Sequence, residues 1–460
     1  MYRIHQIKLN IGEDKGKIPE KILKKIGVRD AFISEWQIVK ESLDSRDKAN
    51  IRWVYSVDFK AALRKSPKKE LHLKGLEMAP DMKYYAPEHG AEELYARPVI
   101  VGFGPAGMMA GLVLAQEGYK PIVLERGQKV EDRLLALSDF EKTRKLDPNS
   151  NIQFGEGGAG TFSDGKLTTG IKDKRIRKVL EEFVKAGAPE EILYKQKPHV
   201  GTDILTAMVS NIRKEIERLG GEVRFDTQFV DFEAEEGSLK KILTRNVRSG
   251  EEEWLSAQAL ILAIGHSARD TFRMLRESLN MKQKPFSMGF RIEHPQDVID
   301  IAQYGKPAKE LGLPVADYKL VYHTKEGRGV YTFCMCPGGH VVCAASHEGM
   351  TLTNGMSYHD RDSGVSNSAL LCDVRPEDYA KEFGADDVLA GVRFQEKYEA
   401  LAFENGGGDY AMPSTTLSEL GAENALTKSL PKFVTDNIIE AVPEMGKKLH
   451  GFDDPSSRIT

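Results

Sequence analysis

Residues 98–107 read PVIVGFGPAG, and MMAGLVLAQEG carries the chain on to residue 118. An apolar run entering Gly102-x-Gly104-x-x-Gly107 and leaving at helical spacing predicts a strand, a tight turn and a helix. KPIVLERG, residues 120–127, then predicts a second strand ending at Glu125, 18 residues after Gly107. Each glycine has its own task in such a βαβ unit. Gly102 permits the turn, Gly104 lets main chain approach a pyrophosphate, and Gly107 lets helix and strand pack closely. Pro105 and Ala106 lie between them, at a helix N-terminus whose free N–H groups and dipole favour an anion. Glu125 can accept hydrogen bonds from ribose hydroxyls and would repel a 2′-phosphate; Arg126 follows it. These seven residues are read as one dinucleotide site.

A second match, GEGGAG at 155–160, lacks that context. LDPNSNIQF precedes it without a continuous apolar run, and TFSDGKLTTG after it is too rich in turn formers to open a helix. The basic IKDKRIRK stands where an acidic strand end is required. It is not a second dinucleotide fingerprint. Six glycines between 155 and 170 do make a loop able to lie flat on a ligand or form an anion nest.

Composition excludes several classes. With 40% hydrophobic and 29% charged residues, the 460-residue chain is globular and long enough for about three domains. A formal charge of −4 makes no case for nucleic acid, even though residues 1–95 carry +4 (19 Lys/Arg, 15 Asp/Glu). Four cysteines do not make a disulfide framework, and Cys334 and Cys336 in CMCPGG are too close for an easy bridge. The start MYRIHQIKLNIGEDKGK lacks the parts of a signal peptide. The apolar run at 99–115 is short for a membrane span. The expectation is a cytoplasmic protein that neither spans membrane nor binds nucleic acid. Neither a metal-ligand spacing nor a serine-hydrolase motif occurs.

The order of later segments bears on which dinucleotide is bound. ILTAMVSNIRKEIERLGGEVRFDTQFVDF (204–232) predicts a long helix, a turn and a strand, and ALILAIGHSARD (259–270) an apolar strand ending at Ala263-Ile264-Gly265. A simple NAD domain would continue alternating directly after Glu125. The arrangement instead resembles the glutathione-reductase-like FAD superfamily. The runs NIQFGEGGAGTFSDGKLTT, FSMGFRIEHPQ, YTFCMCPGGHVV and SLPKFVTDNIIEAVPE resemble a bacterial family of uncharacterised FAD-dependent dehydrogenases within it. The resemblance implies FAD, adenine contacts from Phe229, and close passage of the chain at Ala263 and Gly265. It also implies that the segment inserted after the first βαβ unit touches the flavin, through Gly157, Gly158, Thr161 and Ser163, with Lys166 near the ring.

The fold class expected is α/β: a Rossmann-like FAD-binding domain with an inserted substrate domain and an N-terminal ferredoxin-like module. The expected boundaries are 1–85 for the module and 86–97 for a linker. The FAD-binding domain takes 98–280 with an inserted loop at 150–170, and the substrate domain 281–435. Residues 436–460 begin an incomplete return to the FAD domain. Arg291, His294 and Lys166 are the candidate catalytic residues. Arg291 would anchor a carboxylated substrate while His294 moves a proton. The function expected is an FAD-dependent oxidoreductase passing a hydride between flavin and a small-molecule substrate or NAD(P)H. Alternatives are a flavoenzyme acting on a macromolecule through the N-terminal module, and a non-enzymatic dinucleotide sensor.

Overall fold

A computed structural model describes residues 1–28, 32–61 and 75–460. The chain divides into two units. One comprises Met1–Glu88, Lys166–Val200 and Asp297–Ala316, the other His89–Gly165, Gly201–Gln296 and Asp317–Thr460.

In the N-terminal unit, strands β1 (Tyr2–Asn10), β2 (Ile33–Asp44), β3 (Arg52–Ala61) and β4 (Leu76–Met78) form an antiparallel sheet in the order β2-β3-β1-β4. That order and sense are those of a ferredoxin-like sheet. Pro19 near its start and Gly27 in the left-handed region after its end bound helix Ile18–Ile26. Its Ile18, Ile22 and Ile26 pack on Ile4, Tyr55, Val57 and Phe59. The polar run at 40–47 is half strand. Lys40 to Asp44 pair with Ser56 to Arg52 in a long hairpin, and cross-strand pairing outweighs composition there. Residues 166–200 and 297–316 also belong to this unit, although the sequence reading had placed them in the two later domains.

The other unit holds a parallel sheet, β11-β5-β6-β7, made of Leu260–Leu262, Val99–Val101, Ile122–Leu124 and Glu222–Arg224. All three residues of β5 and of β6 are buried, as a parallel sheet covered on both faces requires. Helix Pro105–Gln116 connects β5 to β6, and helix Thr202–Arg218 precedes β7. An antiparallel sheet β10-β9-β8 (Glu252–Ser256, Ser238–Asn246, Thr227–Glu235) follows, packed through Phe229 and Ile242 on Val99 and Leu124. Strand β12 (Phe286–Pro295) then begins a further sheet in the order β13-β14-β17-β12-β19-β18. Its other members are Val321–His323, Gly329–Cys336, Val365–Val374, Arg458–Ile459 and Thr415–Thr416. A hairpin of β15 (Gly339–Cys343) and β16 (Thr353–Ser357) packs beside it. Residues 436–460, expected to start a return to the FAD-binding domain, instead contribute β19 to this sheet, pairing with β12 and β18.

Candidate functional site

The GFGPAG turn lies at the C-terminal end of β5, and its glycines are needed for distinct reasons. Gly102 has φ +96, and a Cβ there would stand 2.4 Å from the Ala263 carbonyl oxygen. At Gly107 a Cβ would fall 1.8 Å from the Gly102 oxygen, so helix and turn are in direct backbone contact. At Gly104 a Cβ would meet nothing within 4 Å. Pro105 and Ala106 beside it are exposed. Two glycines are packed from within; the third faces open space.

The second glycine loop folds onto this turn. Gly157 N–H donates to the Phe103 carbonyl (2.9 Å), and a Cβ at Gly158 would lie 3.2 Å from Gly104 Cα. The stretch Gly158–Phe162 is a single 3-10 turn, not the α-helix of a dinucleotide fingerprint. Its glycines answer to their own neighbours: Arg133 beneath Gly155 and Thr161 beside Gly157. The hydroxyls expected to face a flavin turn inward. Thr161 donates to Glu156 O (3.1 Å), and Ser163 donates to Gly160 O (2.7 Å) while accepting from Gly165 N–H. Short loops satisfy their own main chain with such side chains first.

Glu125 is buried, and its carboxylate is largely occupied. It accepts from the N–H groups of Phe103 (2.8 Å), Gly127 (2.9 Å) and Gly155 (3.0 Å). One direction on Oε2 remains for a further donor such as a ribose hydroxyl. Glu125, Arg126, Phe229, Ile264 and Thr271 line a slot of about 40 Å³. Two of the residues that border it, Arg126 and Gln228, are joined through Asp270 (2.8 and 2.7 Å). Gly265 has φ +68 with open space around its missing Cβ.

Of the candidate catalytic residues, Arg291 and His294 do not converge. On a strand, side chains three apart point to opposite faces. Arg291 reaches Asn367 Oδ1 (2.6 Å), the Cys334 carbonyl (2.8 Å) and Cys336 Sγ (3.7 Å). His294 is buried against Phe452 and Tyr318, its Nε2 3.0 Å from the Phe452 carbonyl. Burial holds its ring below the usual histidine range. It packs as a core residue, and the joint anchor-and-proton role is not formed. Lys166 lies in the N-terminal unit, bridged to His199. Asp164 is fully buried, ion-paired with Arg361 (2.8 and 2.6 Å) and bonded to Ser357.

The family model described as "FAD-dependent protein, C-terminal domain-like" matches residues 285–460, and a domain of unknown function matches residues 1–60. A Clostridium beijerinckii protein, described only as uncharacterized, is 44% identical over 479 aligned residues. The match covers 100% of this chain and 88% of that protein. The chain belongs to this family. FAD is its cofactor, and flavin chemistry makes it an oxidoreductase. Solved structures resemble it only remotely. THI4 of Thermovibrio ammonificans is 16% identical with TM-score 0.28, over 41% of this chain and 66% of that one. The glycerol-3-phosphate dehydrogenase of Bacillus halodurans, complexed with FAD, is 10% identical with TM-score 0.30, over 70% and 56%. The match spans less than two thirds of either solved chain, and nothing is carried over from them.

The residues present fit FAD at its phosphates, where Gly104 and the exposed helix start leave space beside unpaired N–H groups. Beside Glu125 the slot is bordered by the Arg126–Asp270–Gln228 contact. The sequence reading missed the brace under the second loop. Arg133 is wholly buried and donates to the carbonyls of Asn151 (2.8 Å), Glu156 (2.7 Å) and Ile152 (2.9 Å), its guanidinium stacked 4.7 Å from the Phe162 ring. Burial pushes it down to about 9, still charged at neutral pH. Among the described residues no cluster of metal-ligating groups occurs, and no helix is long and apolar enough to cross a membrane.

Proposed function

We propose that this protein binds FAD with its pyrophosphate against Gly104 and the start of helix Pro105–Gln116. Its two-electron chemistry would then act on a small-molecule substrate or NAD(P)H. The chain order supports the further reading that it is a member of the glutathione-reductase-like superfamily. Bound FAD supplies hydride transfer. The chain's own residues position and enclose. Gly102 and Gly107 bring main chain together, the Arg133-braced loop stands over the turn, and Glu125 ties both loops. His266 and Ser267, directly after the Ala263-Ile264-Gly265 turn, lead into a cavity of about 460 Å³ in the same unit. Loss of solvent, and after it the charge of Arg269, hold the His266 imidazole below its ordinary range, so it is neutral at pH 7 and able to accept a proton.

The observation that carries this reading is the contrast at the fingerprint: two glycines closed by backbone, one open to space. The test is the visible absorption spectrum of the purified protein, with release and mass identification of the chromophore. Bound FAD, or uptake of added FAD, is the expected result. A protein that stays colourless with FAD in excess and instead takes up NAD would overturn it.

A further inference from the structure

Strand β12 has one edge filled and one edge mostly open. Strand β17 pairs with it along its whole length, Phe286–Pro295. On the other side β19 pairs at Ile292, and the contact ends with Arg291 and Thr460 exchanging main-chain hydrogen bonds (2.8 and 2.9 Å). In an antiparallel ladder a residue that exchanges both bonds with one neighbour turns its N–H and C=O to that side, as do residues two and four away. Gly289 and Ser287 therefore present their N–H and C=O groups to a side where no strand lies among the described residues. That side is the 460 Å³ cavity, which every residue from Phe286 to Arg291 and also Thr460 line. Residues 286–289 are accordingly only half-buried.

The same wall holds Arg269 Nε, Thr351 Oγ1 and Thr460 Oγ1, buried and without hydrogen-bond partners. Native interiors leave few polar atoms unsatisfied, and these three belong to residues that line one cavity. The cavity does not ask for charge. The terminal nitrogens of Arg269 already bind Glu399 (2.9 and 2.6 Å). The guanidinium of Arg291 is turned to Asn367 and Cys334, neither of which lines the cavity. Met288, Phe290, Leu352, Leu371 and Leu430 supply an apolar body to the wall.

We propose that this cavity binds a flat, uncharged ring by a cis-amide edge, the N–H beside C=O of a lactam or imide, laid against the main chain of Gly289 or Ser287. A strand residue offers a donor and an acceptor side by side on one edge, and a cis-amide is their complement in the same plane. A carboxylate offers two acceptors and would set one against the strand carbonyl. Two sources share this chemistry: the flavin's own pyrimidine edge, which is an imide, or the ring of a separate substrate. Only the first source rests on the FAD reading above.

The experiment titrates lumazine, a fluorescent pteridine-dione whose two N–H groups both lie beside C=O, into FAD-free and FAD-loaded protein, with 1,3-dimethyllumazine as control. Lumazine should bind FAD-free protein. Blocking both N–H groups by methylation, or filling the cavity in Leu430→Trp, should weaken binding at least tenfold, as loss of a buried hydrogen bond does. If FAD loading abolishes lumazine binding, the site is the flavin ring's. If binding persists, it is a substrate's. No binding by FAD-free protein, or equal binding of the methylated ring, overturns the proposal. Failure to take up FAD would overturn the proposed function while leaving the FAD-free titration decisive.

Discussion

At the scale of single residues, the fingerprint separates packing from ligand contact. Gly107→Ala places a methyl within 1.8 Å of the Gly102 oxygen, so it should destabilise the fold by about 1–3 kcal/mol through overpacking, seen as a lower urea midpoint. Gly104 has φ −73 and empty space around its missing Cβ, so Gly104→Ala should leave stability unchanged or raise it by about 0.5 kcal/mol. The same change should weaken FAD binding at least tenfold, about 1.4 kcal/mol, by equilibrium titration. Unaltered affinity would mean that no phosphate approaches this glycine. Arg133→Met deprives three buried carbonyls of their donor and should cost about 3–5 kcal/mol in urea denaturation. Lysine, with one donor nitrogen, should not restore it.

At the scale of elements, the slot beside Glu125 is bordered by a contact between the end of β6 and helix Arg269–Leu275. Asp270 is about half exposed, so its pairing with Arg126 is partly screened. Asp270→Ala should speed FAD association about two- to fivefold in stopped-flow quenching, with little change in stability. The βαβ unit was legible because glycine, proline, acidic residue and apolar runs all follow from local geometry. The same holds for helix Thr202–Arg218 and for β11. The long β2 was not legible, since its polar end is strand only through pairing with β3. The roles of Arg291 and His294 were misread because pairing them assumed a shared face, which their spacing on an extended strand denies. Arg133 and Asp270 were invisible as site residues: their meaning lies in carbonyls and side chains that long-range folding brings to them.

At the scale of the molecule, stability should depend on pH through buried imidazoles. Burial, the largest cause in each case, holds His294 and His347 below the ordinary histidine range, with Arg269 also acting on His347. For a base whose folded value is depressed, the unfolded chain binds more protons as pH falls. Stability present above about pH 6.5 is therefore lost progressively as pH drops toward the folded values. Urea midpoints at pH 7.5 and 5.5 should show this decline, and His294→Phe should flatten it. A midpoint independent of pH across that range would contradict the sign. Glu125 also has a consequence in time. One carboxylate holds the amide protons of Phe103, Gly127 and Gly155, which belong to three separate stretches of chain. Each time that side chain lets go, all three amides are released to solvent together. In native-state hydrogen exchange they should therefore share one opening rate, slow jointly when FAD binds, and speed up jointly in Glu125→Gln.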